Sequence, residues 1–426
     1  MNALLRRVKN VANDRLTRVL FYDQTLKKGY ASLAPFSKLL ILRRTLVTAV
    51  AFPLSLVCWV FLVVLNLFIP VKIYRFDRPH RPDKASLFIS QMEPLCRGLQ
   101  IETQKKLKIM IDANAIVNLE LLKLYASHFN LYLDDRSKFA RTIFSLIPKL
   151  GFTKTFVPYS RYDTNWELAP ARNLKISKPT EIPGELSAVG IKPFNYVIIA
   201  FPAITYYLKR IPEIVSSSNR FIDPSTSADA LKLLIYQGLK IVRVGQDTDD
   251  IPLNLKELPI IDLSGTFRSD AQDLWLFEHC LFNWSMGAVG TWHFAHKFDR
   301  PTLVTDSYAL HKGYQSTLFT VRKIHSSFEN RNLTFKELLN SKGFLGRTQE
   351  MNSQQLTYIQ NTPRQLCDAV EEILLFANGI ELGSAQNIEL LEKYDRMIVN
   401  SGFPIRKNSH SSPCATMLRD YVEFLK

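Results

Sequence analysis

Short apolar runs alternate with helical patterns along the second half of the chain. The apolar runs are typical of buried strands, and the segments between them repeat apolar residues at the spacing of a helix. Strand patterns cover 196–201, 240–244, 260–263, 280–284 and 302–305, and helical patterns cover 227–237, 272–279 and 290–297. This alternation predicts an α/β fold built on a parallel sheet with helices on both faces.

An earlier region shows a shorter form of the same pattern. Apolar runs at 107–112 and 131–133 flank a helical pattern that begins near Asn114, which is typical of a strand–helix–strand unit. Thr362-Pro363 supplies a helix cap and a first-turn proline before another helical pattern. We therefore divide the chain into a membrane-attachment region at 1–84, α/β domains at 85–190 and 191–378, and a helical tail at 379–426 that packs back on the second domain.

Residues 45–71 form an uncharged, apolar run of 27 residues. At about 1.5 Å per residue, a helix of this length exceeds the roughly 30 Å hydrocarbon core of a bilayer. Pro53 and Pro70 could kink it, so a hairpin or a helix lying in the membrane surface competes with a single span. A buried core helix is the alternative without a membrane, but core helices seldom need so long a run.

Charge is concentrated beside this apolar run. The whole chain carries +15, and residues 1–84 hold 15 Lys or Arg against 4 Asp or Glu. The remainder is close to neutral, so we expect a membrane partner and no nucleic-acid partner. Both flanks of the run are basic, and the positive-inside rule therefore does not choose one orientation for a single span.

The cysteines indicate a reducing compartment. Cys58, Cys96, Cys280, Cys367 and Cys414 show neither paired spacing nor the spacing of a zinc site. We therefore expect the folded part of the chain on the cytoplasmic side of a membrane.

Ligands of a doubly wound sheet bind beyond the carboxyl ends of its strands, so residues that follow strands are the candidates for chemistry. Arg243 and Gly245 end one predicted strand. After another strand, the small-residue loop 285–290 opens a helix, and its amide groups could cradle an anion, with Ser285 and Gly287 as contacts. An ordinary turn leading into a helix would explain the same loop without a ligand.

A second polar group lies at the start of the helical pattern at 272–279. Its members are Arg268, Ser269, Asp270 and Asp273. The planar guanidinium of Arg268 could bind a diphosphate through two donors, whereas Ser269 or Asp270 could instead only cap the helix. His279, His293 and His296 superficially suggest a metal cluster, but no acidic residue lies at a matching position in the helix of His293 and His296, so we expect no metal site.

The run from 219 to 307 resembles a family of bacterial glycosyltransferases found with surface-carbohydrate genes. The matching residues are the Val-Arg-Val-Gly strand end at 242–245, Ile261-Asp262, Arg268-Ser269-Asp270 with Asp273 and Leu276, Cys280 with Phe282, the loop 285–290 and Arg300-Pro301-Thr302. The apolar, basic N-terminal region is similar too. More distantly, the order of these features resembles the fucosyltransferase-like branch of the fold with two Rossmann-like domains, called GT-B.

The resemblance implies a GT-B-like enzyme at the cell inner membrane. Its C-terminal domain would bind a nucleotide-sugar donor, and a lipid-linked or surface-polysaccharide acceptor would approach from the N-terminal domain, with no cofactor required. In that family the first C-terminal strand commonly ends in His-x-Arg-Asp, whereas this chain has Ala200-Phe201-Pro202-Ala203. Arg220, in the loop after that strand, is the candidate to replace the missing arginine in catalysis.

The sequence leaves two alternatives to an active transferase open. The missing strand-end arginine favours a catalytically inactive, membrane-tethered binding or scaffold subunit, while the retained group at 268–273 favours an active transferase. A nucleotide-sugar epimerase would share the architecture, but it does not call for a membrane segment.

Overall fold

The computed structural model describes most of the chain beyond residue 181. The described ranges there are 182–202, 222–245, 251–264, 269–287, 290–307, 316–340, 355–380, 385–400 and 411–420. Before them, the described positions are 50, 52–58, 60, 61, 64, 72–74, 89, 107–112, 120, 121 and 130–134. The chain divides into two compact units, Met1–Asp83 with Thr103–Val117 and Tyr125–Ser160, and Lys84–Glu102 with Asn118–Leu124 and Arg161–Lys426. The predicted domain boundaries at 84, 190 and 378 stay predictions.

The first unit contains a three-stranded parallel sheet. Its strands are β1 (Lys72–Tyr74), β2 (Leu107–Asp112) and β3 (Asn130–Asp134), in the order β1-β2-β3. The expected strands at 107–112 and 131–133 are therefore confirmed as parallel neighbours.

Part of the predicted apolar segment 45–71 is helical. Positions 50, 52–58, 60, 61 and 64 have helical backbone, and the rest of the segment lies outside the described residues. Within the described residues, every helix is too short or too polar to cross a membrane.

The second unit is built on a seven-stranded sheet whose adjacent strands are all parallel. Its strands are β4 (Tyr196–Ala200), β5 (Lys240–Arg243), β6 (Ile260–Asp262), β7 (Phe282–Met286), β8 (Thr302–Ser307), β9 (Thr317–Val321) and β13 (Ser412–Pro413). They lie in the order β13-β9-β8-β7-β4-β5-β6. The predicted parallel α/β sheet is confirmed. A small antiparallel sheet is formed by β10 (Lys323–Ser326), β11 (Arg331–Asn332) and β12 (Leu356–Ile359).

Helices connect these strands. They are α1 (Gly184–Ala188), α2 (Ala228–Tyr236), α3 (Leu253–Lys256), α4 (Asp270–His279), α5 (Trp292–Lys297), α6 (Phe335–Asn340), α7 (Pro363–Ala377), α8 (Ala385–Asn400) and α9 (Ala415–Asp420). Local chemistry sets several of their ends. Thr362 and Gln365 form a capping box with Pro363 in the first turn of α7, and Gly238, with φ at 80°, follows the end of α2.

Both faces of the large sheet are covered. On one face, Ile199 and Trp284 belong to the same hydrophobic core as Leu231 of α2 and Leu366 of α7. On the other face, the Tyr196 hydroxyl donates to the Leu276 carbonyl of α4 at 2.6 Å. Strands β4, β7 and β8 are buried along their whole length, as expected when helices cover both sides of a parallel sheet.

The residues near 411–420 complete this unit. Strand β13 pairs with β9, so it supplies one edge of the sheet. Buried Glu372 of α7 accepts hydrogen bonds from the backbone N–H groups of Ala415 and Thr416 at 2.8 and 3.1 Å and from the Thr416 hydroxyl at 2.8 Å. A carboxylate of α7 therefore caps the N-terminus of α9.

Candidate functional site

The strand order of the large sheet reverses between β4 and β7. From β4 the chain adds β5 and β6 on one side, then returns to add β7, β8 and β9 on the other. Ligands of open α/β sheets bind in the crevice outside the carboxyl ends of the strands at such a reversal. Here that crevice lies beyond Ala200 and Met286, which makes it the candidate site.

Arg243, at the end of β5, is bound to its neighbours within the protein. Its side chain is 3% exposed, and Nη1 donates to Oδ2 of Asp262 at 2.9 Å. Its Cζ also lies 4.6 Å from the centre of the Phe201 ring. The other carboxylate oxygen of Asp262 accepts from the Ser264 N–H at 2.9 Å. Arg243 therefore ties the ends of β5 and β6 to the residue that follows β4. Gly245, two residues later, adopts φ of 158°.

The group at 268–273 forms the start of α4. Ser269 is the cap: its hydroxyl accepts from the Gln272 N–H at 3.1 Å, and the Gln272 side chain accepts from the Ser269 N–H at 2.9 Å. Asp270 and Asp273 lie in the first turn, where a negative charge suits the positive end of the helix dipole. The capping interpretation of Ser269 is therefore realised in the structure. Arg268, like Arg220, lies outside the described residues.

The end of β7 carries a chain of buried hydroxyl and amide groups. Asn283 Nδ2 donates to Ser285 Oγ at 2.9 Å, and that oxygen lies 2.6 Å from Thr291 Oγ1, just before α5. Within the described residues, Asn283 Oδ1 is buried without a hydrogen-bond partner. Gly287 adopts φ of 66°, which favours glycine, and its N–H donates to the Thr305 carbonyl at 2.8 Å. The hydroxyl of Ser285 and the amide of Gly287 are thus engaged within the protein.

The sheet register separates two of the predicted site residues. Arg243 is paired with Ile199, whereas Ser285 is paired with Ala200. Successive residues of a strand point to opposite faces, so the side chains of Arg243 and Ser285 leave the sheet on opposite sides. The structure brings Arg243 together with Asp262, and Ser285 together with Thr291, but it does not bring these two pairs onto one face.

Sequence reasoning missed a buried polar cluster at the ends of β8 and β9. Asp306 is 1% exposed and adopts φ of 54°, which is unusual for a residue other than glycine. Its Oδ1 accepts from the Asn361 N–H at 2.7 Å, and its carbonyl accepts from Arg322 Nε at 2.8 Å. Its own N–H donates to the side chains of Thr320 and Asn361 at 3.0 and 3.1 Å.

Burial gives Asp306 an unusual acidity. Desolvation raises its pKa to about 6, although the Asn361 N–H and the positive charge of Arg322 both oppose the increase. A carboxyl group that titrates near neutral pH at the carboxyl edge of a parallel sheet is typical of a functional site, although buried structural networks also shift pKa values. The available signal in the sequence was an Asp directly after a predicted strand at 302–305.

Among the described residues, the three histidines have no cluster of other metal ligands around them. His293 and His296 are buried in α5, and His279 stacks on Trp275 with ring centres 4.5 Å apart. Across the described ranges, no three His, Cys, Asp or Glu side chains come together in a way that could hold a metal ion.

The comparisons with known proteins give only distant structural likenesses. The sequence matches no protein-family model and none of the curated proteins. E. coli ADP-heptose lipopolysaccharide heptosyltransferase II is 14% identical over 72% of this chain and all of that chain, with a TM-score of 0.42. A family 9 glycosyl transferase from Veillonella parvula is 14% identical over 68% of this chain and 79% of that one, with a TM-score of 0.28. MnaA of S. aureus in complex with UDP is 11% identical over 80% of both chains, with a TM-score of 0.27.

Proposed function

We propose that this chain is a membrane-associated glycosyltransferase that moves a sugar from a nucleotide-sugar donor to a lipid-linked or surface-polysaccharide acceptor. The observation that supports it best is the strand-order reversal between β4 and β7, with the polar residues Arg243, Asp262 and Ser285 at or near the carboxyl ends of β5, β6 and β7. The residue pattern at 242–302 adds support, because it resembles that of bacterial glycosyltransferases. We further propose that the chain acts at the cell inner membrane, with this unit on the cytoplasmic side.

In the proposed reaction, an acceptor hydroxyl oxygen attacks the anomeric carbon of the donor. The bond from that carbon to the diphosphate breaks, the hydroxyl proton passes to a base, and the nucleoside diphosphate leaves with the bonding electrons. Negative charge therefore grows on the diphosphate, and cationic groups aimed at it would lower the barrier. We propose that Arg268 and Arg220 donate hydrogen bonds to the diphosphate and stabilise this charge.

The other candidates would serve the donor less directly. Arg243 is paired with Asp262, so we propose that it holds the loops after β4 and β6 in place for the donor. Ser269 fixes the start of α4 through its capping box, and so orients the chain just after Arg268. The residues between Gly287 and Thr291 would supply amide groups to the diphosphate. Asp270 and Asp273 would contact the sugar or the nucleobase of the donor.

Arg268 provides the sharpest test of this site. We expect Arg268→Ala to weaken donor binding by about 1.5 to 3 kcal/mol, the range for hydrogen bonds to charged groups, with little change in the free energy of unfolding. Arg268→Lys should restore affinity only in part, because lysine keeps the charge but loses the two-donor geometry. Calorimetric titration with a panel of nucleotide sugars measures the affinity, and a denaturant melt measures the stability.

Arg396→Ala is the matched control. Arg396 pairs with Glu392 on the exposed side of α8, so its loss removes one positive charge from an element that holds none of the candidate site residues. Unchanged donor affinity in a folded Arg268→Ala protein would contradict the role of Arg268. A wild-type chain that binds a nucleotide sugar but transfers it to no acceptor would favour the alternative, a catalytically inactive binding or scaffold subunit.

A further inference from the structure

One side of the helix at 50–64 is apolar and open. The exposed described positions of this helix are Val50, Pro53, Leu54, Val57, Val60, Phe61 and Val64. At 3.6 residues per turn, they fall within an arc of about 120° around the helix. We call these seven residues the apolar stripe. A helix face exposed to water normally carries polar residues, so the stripe calls for an apolar partner.

The described positions outside this arc are less exposed than the stripe. Ser55 is fully buried, and Phe52, Leu56 and Cys58 are half-buried, all at positions outside the arc of the apolar stripe. A helix surrounded by lipid would present its whole circumference to its surroundings. Among the described positions, the exposed ones all lie on one side, which suits a surface that the helix meets from one direction.

The basic residues on both sides of the helix indicate that this surface is an anionic membrane. Residues 1–44 carry ten Lys or Arg against two Asp or Glu, and residues 72–84 carry five against two. Lipid headgroups of an anionic membrane attract basic segments beside an inserted apolar face. A helix lying in the surface needs to insert only about 5–10 Å of its apolar face.

We propose that the apolar stripe inserts into an anionic membrane surface with the helix axis in the plane of the membrane, and that both basic flanks contact headgroups of the same leaflet. This inference rests on the membrane association proposed above and adds the residues, the lipid charge and the orientation. The spacing of positions 50, 54, 57, 61 and 64 also suits a pair of helices. Two copies would, however, bring their basic flanks together, so an anionic bilayer is the better partner.

The first experiment measures co-sedimentation of the full chain with vesicles of phosphatidylcholine, alone or mixed with phosphatidylglycerol. The stripe variant is Val57→Gln with Phe61→Gln, residues that are 67% and 65% exposed. The matched control is Val399→Gln with Tyr236→Gln, which replaces a valine and an aromatic residue that are even more exposed, at 77% and 89%, in the other unit. Because all four side chains are exposed without lipid, every variant should keep the circular dichroism spectrum and the melting midpoint of the wild type.

We expect the wild type and the control to bind mixed vesicles equally, and more strongly than phosphatidylcholine alone. The stripe variant should bind roughly tenfold or more weakly, because it no longer buries two large apolar side chains in the acyl region. If the wild type binds no vesicles, the membrane association itself is wrong. If the wild type and the stripe variant bind equally, the association stands and the inference about the stripe is wrong.

The second experiment tests the orientation. Val50→Trp, Val57→Trp and Val64→Trp each place an added fluorophore on the stripe, and lipids brominated at a shallow or a deep acyl position quench it according to depth. Relative to the parent protein, we expect all three added tryptophans to be quenched best by the shallow lipid and to equal extents. Deepest quenching at position 57, or a steady change from 50 to 64, would indicate a spanning helix and overturn the proposal. A stripe variant that turned a dimer into a monomer and still bound vesicles would overturn it too.

Discussion

At the scale of single residues, Asp306 combines a left-handed backbone, burial and contacts to distant parts of the chain. Its φ of 54° persists because Thr320 and Asn361 accept from its N–H, while Arg322 donates to its carbonyl. Strained backbone of this kind is retained only where the surroundings determine it. Asp306 thereby joins the end of β8 to the residue that precedes the cap of α7.

The acidity of Asp306 predicts how stability depends on pH. The folded pKa of about 6 lies above the ordinary value of 3.8, so the native state binds more protons than the unfolded state between these values. The stabilising contribution is complete below pH 3.8 and is lost as the pH rises through about 6. Asp306→Asn cannot ionise. Relative to the wild type, its free energy of unfolding should therefore increase by up to about 3 kcal/mol between pH 4 and pH 8.

Urea melts of both proteins at several pH values measure this difference. Its steepest change should fall between about pH 4 and pH 6. A difference that stays constant from pH 4 to pH 8 would mean that Asp306 titrates normally in the folded protein.

Ser269 and Asp306 show which residue roles the sequence could predict. The cap at Ser269 depends on Gln272, three residues away, so a local pattern is enough to indicate it. The role of Asp306 depends on Asn361, which is 55 residues away, and on a backbone angle that the residue type disfavours. The engagement of Arg243 with Asp262 also requires the register of β5 and β6. Local patterns do not determine such pairings.

At the scale of elements, α7 connects the sheet to the segment at 411–420. Its residues Leu366 and Val370 lie in the sheet core, while Glu372 turns to the start of α9. A buried carboxylate with three donors holds a short helix that could not be stable alone. One side chain of α7 therefore contributes, together with the pairing of β13 with β9, to the position of α9.

We expect Glu372→Ala to lower the free energy of unfolding by about 1–3 kcal/mol, because it leaves two backbone N–H groups of α9 unsatisfied. Hydrogen exchange of the amides in 411–420 should accelerate more than that of β4 or β7. Glu371→Ala is the matched control, since Glu371 is the exposed neighbour on the same helix. Equal effects of the two substitutions would show that the contacts of Glu372 to α9 contribute nothing.

The sequence predicted long elements better than short ones. Strands β4 and β7 and helix α7 have apolar patterns or capping residues that act locally. By contrast, β11 and β13 contain two residues each, too few for any periodicity, and exist only because neighbouring strands pair with them. Tertiary pairing, rather than local preference, creates such strands.

At the scale of the whole molecule, the charge and the cysteines bear on where the chain acts. The basic excess lies within residues 1–84, beside the apolar stripe. Cys280 and Cys414 are fully buried, and burial raises the pKa of the Cys280 thiol to about 12. These two thiols are therefore poor reporters of location, because they would resist labelling on either side of a membrane.

An added cysteine at an exposed position would report location. Tyr236 is 89% exposed at the end of α2, so Tyr236→Cys should fold normally and react readily in the purified protein. If the second unit lies on the cytoplasmic side, a membrane-impermeant maleimide should modify this cysteine only after the cells are lysed. Rapid modification in intact cells, beyond that of the parent protein, would place the unit outside the cytoplasm.

The pairing of β13 with β9 has a consequence for synthesis. Leu318 of β9 pairs with Ser412, so the partner of β9 leaves the ribosome long after β9 itself. At about 5–20 residues per second, the delay is roughly 5 to 20 s. During that time the outer N–H and C=O groups of β9 are open to strands of other nascent chains. Because of this strand order, the unpaired edge of β9 must be protected from aggregation until β13 has been synthesised.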